Sequence, residues 1–127
     1  MTILGIGVDL VHVPRIAALL SRRKPDRFAA RILSKEEYAQ WQSLGISSDR
    51  IQFLAVRWCV KEAAYKAMYP AIQLSWKEIT YHSTSTLGQK PFIIYHPLAA
   101  ENTKKVGRTH VSVSHDGEYV YSSVLVE

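Results

Sequence analysis

The stretch from Arg50 to Tyr69 constrains this chain more than any other. It reads as one long helix, and Pro70 marks its end. Placing its residues at about 100° intervals produces two apolar stripes instead of one. Phe53, Val56, Val60, Ala63 and Ala67 form the first, while Ile51, Leu54, Ala55, Trp58, Tyr65 and Tyr69 lie opposite. Arg57 and Lys61 line one flank between the stripes, and Gln52, Cys59 and Lys66 line the other. A helix apolar on two sides has to be covered on two sides, inside the domain or between subunits.

Glu62 falls in the second stripe, between Trp58 and Tyr65. A carboxylate there is partly desolvated and needs a cation or a proton. A Glu62–Lys66 pair at helical spacing also fits, but explains the spacing and not the aromatic setting. The opening segment Ile3–Val11 alternates as a strand. Leu4, Ile6, Val8 and Leu10 share one face, which reads as core. The other face carries Ile3, Gly5, Gly7, Asp9 and Val11. Its two glycines mark a close approach by ligand or backbone, or a bulge, and beside them stands the Asp9 carboxylate.

Between these segments, Pro14 suits the first turn of a short helix with Ile16, Leu19 and Leu20 inward. Ser34-Lys35-Glu36-Glu37 is a capping box, opening a helix to about Leu44. Ser47, Ser48 and Asp49 offer caps for the long helix. Downstream, Trp76–His82 reads as a strand, Gly88–Pro91 as a turn into a strand Phe92–Tyr95, and Pro97–Val106 as a short helix. Val111–His115, Asp116-Gly117 and Tyr119–Val126 form a hairpin signature. The expected fold is α+β: a mostly antiparallel sheet packed on one long helix with short helices beside it, as a single domain over residues 1–127.

Composition narrows the functional classes. One cysteine, Cys59, excludes an internal disulfide framework and a thiolate zinc cluster. No apolar run reaches the ~18 residues of a membrane span. The start, Met1-Thr2-Ile3-Leu4-Gly5, reads as the beginning of a strand and not as a targeting segment. The net charge of +5 is concentrated: Arg15, Arg22, Arg23, Lys24, Arg27, Arg31 and Lys35 face only Asp26 before Glu36 begins. Such a cluster points to an anionic partner or to a solvated basic face. A non-enzymatic basic module binding nucleic acid or an acidic protein is therefore the alternative reading, although no nucleic-acid-binding motif is present.

Walker loops, dinucleotide fingerprints, nucleophile elbows and zinc spacings are all missing from the sequence. If the first strand and long helix meet, Asp9 and Glu62 supply the carboxylates that Mg²⁺ commonly takes beside substrate phosphates. Lys61 and Lys66 flank Glu62, and lysine serves a phosphate as a point charge.

Three segments resemble the holo-acyl-carrier-protein synthases, the small single-domain class of 4′-phosphopantetheinyl transferases. They are Gly5-Ile6-Gly7-Val8-Asp9-Leu10-Val11, the Phe53–Ala67 run with its Trp58-x-x-Lys61-Glu62-Ala63-x-x-Lys66 core, and Val111-Ser112-Val113-Ser114-His115-Asp116. The resemblance implies Mg²⁺-dependent transfer of 4′-phosphopantetheine from coenzyme A to a serine of an apo acyl carrier protein, releasing adenosine 3′,5′-bisphosphate. It implies Asp9 and Glu62 as metal ligands, with Lys66 near the coenzyme A phosphates. It further implies Pro91, Ser114 and His115 at the nucleotide end, and Arg15, Arg22, Arg27 and Arg31 docking the acidic carrier. It implies a homotrimer with active sites shared between subunits, and no nucleic-acid or membrane partner. The family's usual glycine-rich turn after the second motif is replaced here by Met68-Tyr69-Pro70-Ala71-Ile72. Trp58 and Tyr69-Pro70 resemble fungal mitochondrial or synthase-associated members, so the expected location is the mitochondrial matrix in a eukaryote and otherwise the cytoplasm.

Overall fold

The computed structural model describes residues 2–22, 24–84 and 87–127; Arg23 of the basic cluster lies outside the described residues. Strand β1 (Gly5–His12) leads into helices α1 (Val13–Arg22), α2 (Pro25–Ile32), α3 (Lys35–Ser43) and α4 (Ser47–Met68). Strands β2 (Ile79–His82), β3 (Phe92–Tyr95), β4 (Thr109–Asp116) and β5 (Tyr119–Val126) follow. β1, β5 and β4 form one antiparallel sheet in that spatial order, and β2 pairs with β3 in a second. The expected α+β arrangement holds.

Local chemistry explains the element boundaries. Pro25 opens α2, where its missing N–H costs nothing. Ser34 Oγ accepts from Glu37 N–H at 3.4 Å, and Glu37 Oε1 accepts from Ser34 N–H at 2.9 Å, completing the capping box that starts α3. α4 starts earlier than expected: Ser47, Ser48 and Asp49 lie inside its first turn, and Ile46 precedes it without a side-chain cap. A short 3₁₀ turn takes Trp76–Glu78 out of the expected strand. The expected helix from Pro97 shrinks to a 3₁₀ turn at Ala100–Asn102.

The face of β1 is the main correction. Leu4, Ile6, Val8 and Leu10 are exposed, at 38%, 66%, 44% and 60%. The glycine face is the one that meets α4. A Cβ on Gly5 would collide with the Ala67 carbonyl, and one on Gly7 with the Ala63 carbonyl while lying 2.8 Å from Ala67 N. The strand and helix backbones therefore touch with no side chain between them, and this brings Asp9 to the helix. Gly7→Ala is expected to cost about 1–3 kcal/mol or more by overpacking. The thermal midpoint would fall accordingly, and an unchanged midpoint would show that the two backbones do not meet there.

α4 lies chiefly on β1 and β5. Leu54, Ala55, Cys59 and Val11 bury with α1 and α2 residues in one cluster; Val60, Ala63, Ala64, Ala67, Val124 and Val126 bury with β2 and β3 residues in another. The second apolar stripe is only half covered. Ile51 and Trp58 are partly buried, whereas Tyr65 and Tyr69 are exposed at 38% and 53%. Its C-terminal half is therefore the wall of an opening and not a second core face.

Candidate active site

Asp9 on β1 and Glu62 on α4 lie close enough to interact electrostatically. Asp9 lies on the α4-facing side of β1, and its register partner is the buried Ser122. Cys59 Sγ donates to the Asp9 carbonyl at 3.3 Å, and Ser122 Oγ donates to the Cys59 carbonyl at 2.9 Å. Burial pushes this thiol up to about 11, so it is protonated and pins the Asp9 backbone instead of reacting.

Lys66 stands one turn beyond Glu62. Its ammonium donates to the Val8 carbonyl at 2.9 Å and to Asp9 Oδ1 at 3.3 Å. With the lysine side chain 52% exposed, this pair is worth at most about 1 kcal/mol. It orients the groups more than it holds the fold together. Glu62 is half-buried and keeps its proton more tightly than an ordinary carboxyl, first through burial and then through the Asp9 charge. Lys66 and Arg15 pull the other way. Asp9, Glu62, Lys66 and Arg15 thus share one electrostatic neighbourhood.

A cavity of about 210 Å³ adjoins them, lined by Lys61, Glu62, Tyr65, Leu74, Ser75 and Trp76. Trp58 packs against Trp76 at 5.0 Å and Phe28 at 5.9 Å, and the Arg15 guanidinium lies 5.9 Å from the Trp58 ring centre. Glu78 secures the Ser75 edge of the cavity, accepting from Ser75 N–H at 3.1 Å and Ser75 Oγ at 2.9 Å. Leu74, Ser75 and Trp76 are site residues that the sequence reading missed. Ser75-Trp76-Lys77-Glu78 repeats the Ser-x-x-Glu spacing seen at Ser34, a signal that could have marked this turn.

Lys61 does not flank the opening as a free cation. Its ammonium sits 2.6 Å from Glu37 Oε1 and donates to the Ile32 and Trp76 carbonyls at 3.0 and 2.8 Å. All three of its donors are used inside the protein. Arg57, on the same flank, is buried over the rings of Phe53 and Tyr81 at 3.6 and 5.0 Å.

Pro91, Ser114 and His115 are exposed, and none lines the cavity. Ser114 pairs with Tyr121, which pairs with Leu10, so Ser114 belongs to the sheet face turned away from α4. His115 is on the α4 side but on β4, two strand spacings or about 10 Å from β1. One copy of the chain does not bring Ser114 or His115 to Asp9 and Glu62. Of the arginines, Arg15 and Arg22 lie on α1, and Arg27 and Arg31 lie on α2, where with Lys24 and Phe28 they line a basic hollow of about 430 Å³.

Among the described residues no group of three or more His, Cys, Asp or Glu could hold a metal ion. The Asp9–Glu62 pair offers two hard oxygen donors whose mutual repulsion a cation relieves. That set fits Mg²⁺, which takes few protein ligands and completes its shell with water and substrate oxygens. No helix among the described residues is long and apolar enough to cross a membrane.

Residues 5–122 match the 4′-phosphopantetheinyl transferase superfamily. The holo-[acyl-carrier-protein] synthase of Edwardsiella ictaluri is 37% identical over 130 residues, covering 100% of this chain and 99% of that protein. Among solved structures, the holo-[acyl-carrier-protein] synthase of Neisseria meningitidis superposes with a TM-score of 0.83 at 29% identity, over 99% of each chain. That of Bacillus anthracis, in complex with CoA (3′,5′-ADP), superposes at 0.76 with 28% identity, over 99% of this chain and 97% of that one.

Proposed function

Because this chain belongs to the 4′-phosphopantetheinyl transferase superfamily, we propose that it acts as a holo-acyl-carrier-protein synthase. It moves the 4′-phosphopantetheine arm of coenzyme A to a serine of an apo acyl carrier protein and releases adenosine 3′,5′-bisphosphate. The observation that carries this is the meeting of Asp9 with Glu62 and Lys66 over the glycine face of β1.

In the reaction the serine oxygen forms a bond to the phosphorus that bears the pantetheine arm. The bond from that phosphorus to the oxygen bridging to the adenosine-bearing phosphate breaks, and the serine proton departs. Asp9 and Glu62 would hold Mg²⁺, which when bound neutralises charge developing on the diphosphate. Lys66 adds a mobile point charge beside them. The serine proton passes to Glu62 or to water. Phosphoryl transfer of this kind asks the protein mainly for positioning and charge compensation.

The complete site belongs to a homotrimer. Ile6, Val8, Leu10 and Tyr121 leave an apolar sheet face uncovered, and such a face marks an interface. Ser114 lies on that same face. Pairing it with another copy is how Ser114, His115 and Pro91 reach a neighbouring Asp9–Glu62 pair and hold the nucleotide end. Arg15, Arg22, Arg27 and Arg31 dock the acidic carrier. Reversing Arg22 and Arg31 to glutamate is expected to raise KM for the carrier about tenfold and flatten its salt dependence, with KM for coenzyme A little changed. Steady-state kinetics at several ionic strengths checks this. The curated relative from Edwardsiella ictaluri is bacterial, which supports the cytoplasmic location; nothing found here supports the mitochondrial one.

The test is incubation with apo carrier protein, coenzyme A and Mg²⁺, followed by intact mass measurement of the carrier and sedimentation of the enzyme. A phosphopantetheine mass gain and a trimer are expected. No gain on any of several carriers would remove the assignment, and a monomer throughout would remove the shared site.

A further inference from the structure

We propose that Tyr65 and Tyr69 form a stacking shelf for the adenine ring of the substrate nucleotide; this rests on coenzyme A being the substrate. The two rings lie one helical turn apart at the end of α4, with centres 5.8 Å apart and planes 20° from parallel. They are exposed at 38% and 53%, and neither belongs to a core cluster. Among the described residues neither phenol oxygen makes a hydrogen bond. Core packing does not account for two large aromatic rings held in the open.

Their position ties them to the site. Tyr65 lines the same cavity as Glu62, and Lys66 leaves α4 between the two tyrosines. A diphosphate held at Asp9, Glu62 and Lys66 therefore has the Tyr69 ring within about one helical turn, 5.4 Å along the axis.

The turn after α4 leaves an anion only the Ala71 N–H among residues 69–72. Tyr69 N–H donates to the Tyr65 carbonyl and Ile72 N–H to the Met68 carbonyl, each at 3.0 Å. Pro70 has no N–H. What this end of the helix presents is a flat π-face, and the flat part of the substrate is its base. An adenine laid on Tyr69 continues the Tyr65–Tyr69 column.

The experiment measures adenosine 3′,5′-bisphosphate binding by calorimetry for the wild type, Tyr69→Ala, Tyr69→Leu and Tyr69→Phe, with circular dichroism to verify folding. Base stacking supports a loss of about tenfold in affinity for the alanine and leucine variants. Phenylalanine is expected to bind within about twofold of wild type. KM for coenzyme A should rise in parallel with the affinity loss, and binding of 4′-phosphopantetheine, which has no adenine, should not respond. Wild-type affinity in both the alanine and leucine variants would overturn the shelf. So would an equal loss in the phenylalanine variant, which would make the hydroxyl the contact. The leucine variant keeps apolar bulk, so the test survives if alanine fails to fold. A wild-type protein that binds neither the bisphosphate nor coenzyme A would remove the transferase reading itself, whereas wild-type binding with indifferent variants removes the shelf alone.

Discussion

Glu62→Gln is expected to lower kcat by about two to three orders of magnitude while the folded chain melts at or above the wild-type temperature. The activity loss follows from removing a charged group that acts on the developing phosphate charge, an electrostatic contribution typically of that size. The stability expectation has the opposite sign to that for an ordinary ion-paired carboxylate. Burial and the Asp9 charge raise the Glu62 pKa in the folded state. The folded chain thus binds this proton more tightly than the unfolded chain does. Stability from such a group falls as pH rises from the unfolded pKa through the raised folded one. At neutral pH the ionised carboxylate weighs against the metal-free fold, and glutamine removes that burden. Kinetics with thermal melts, with and without Mg²⁺, check both halves: Mg²⁺ should raise the wild-type midpoint and leave that of the variant nearly unmoved. Parallel loss of activity and stability would instead make Glu62 a structural residue.

Lys61→Met is expected to destabilise the fold by about 3–5 kcal/mol, the cost of leaving a buried charge uncompensated. The Lys61 and Glu37 side chains are 1% and 0% exposed and 2.6 Å apart. Glu37 also accepts from the N–H groups of Ser34 and Tyr81 at 2.9 and 2.8 Å, so it cannot swing to solvent when its partner leaves. The pair joins α4 to the start of α3 and to β2. The bonds from Lys61 to the Ile32 and Trp76 carbonyls join it to α2 and to the cavity wall beside Glu62. A domain with a total stability of about 5–15 kcal/mol is marginal after such a loss. Urea unfolding measures it as a shift in midpoint at unchanged m. Replacing both partners, Lys61→Met with Glu37→Leu, should recover part of the loss, since no orphan charge remains. A single-variant cost under about 1 kcal/mol would show that the pair is not sealed from water.

Features written in local spacing were legible from residue order. The Ser34–Glu37 capping box needs only a hydroxyl and a carboxylate three residues apart. The β4–β5 hairpin turns at Gly117, whose φ of 56° suits glycine, as its Asp-Gly signature predicts. Helix α4 was legible too, although it begins three residues earlier than the cap residues imply. Asp9 and Glu62 stood out as carboxylates in apolar settings, and the structure places them together. Lys61 misled: its neighbour Glu62 faces the opening, but one residue of helix is a rotation of about 100°, enough to turn the ammonium into the interior.

The choice of face on β1 was not legible, and everything about the site depends on it. Alternation shows that Leu4, Ile6, Val8 and Leu10 oppose Gly5, Gly7 and Asp9, and greater hydrophobicity made the first set look like core. Packing chose the second set, because α4 brings the Ala63 and Ala67 carbonyls so close to the strand that only hydrogen fits on Gly5 and Gly7. Residue order alone established the strand, the helix and the two carboxylates that stand out on them, for these are properties of neighbours along the chain. It could not establish the meeting of strand and helix, or the exposure of the apolar sheet face. Those depend on the space left between backbones 50 and more residues apart, where the absence of two side chains outweighs the hydrophobicity of four.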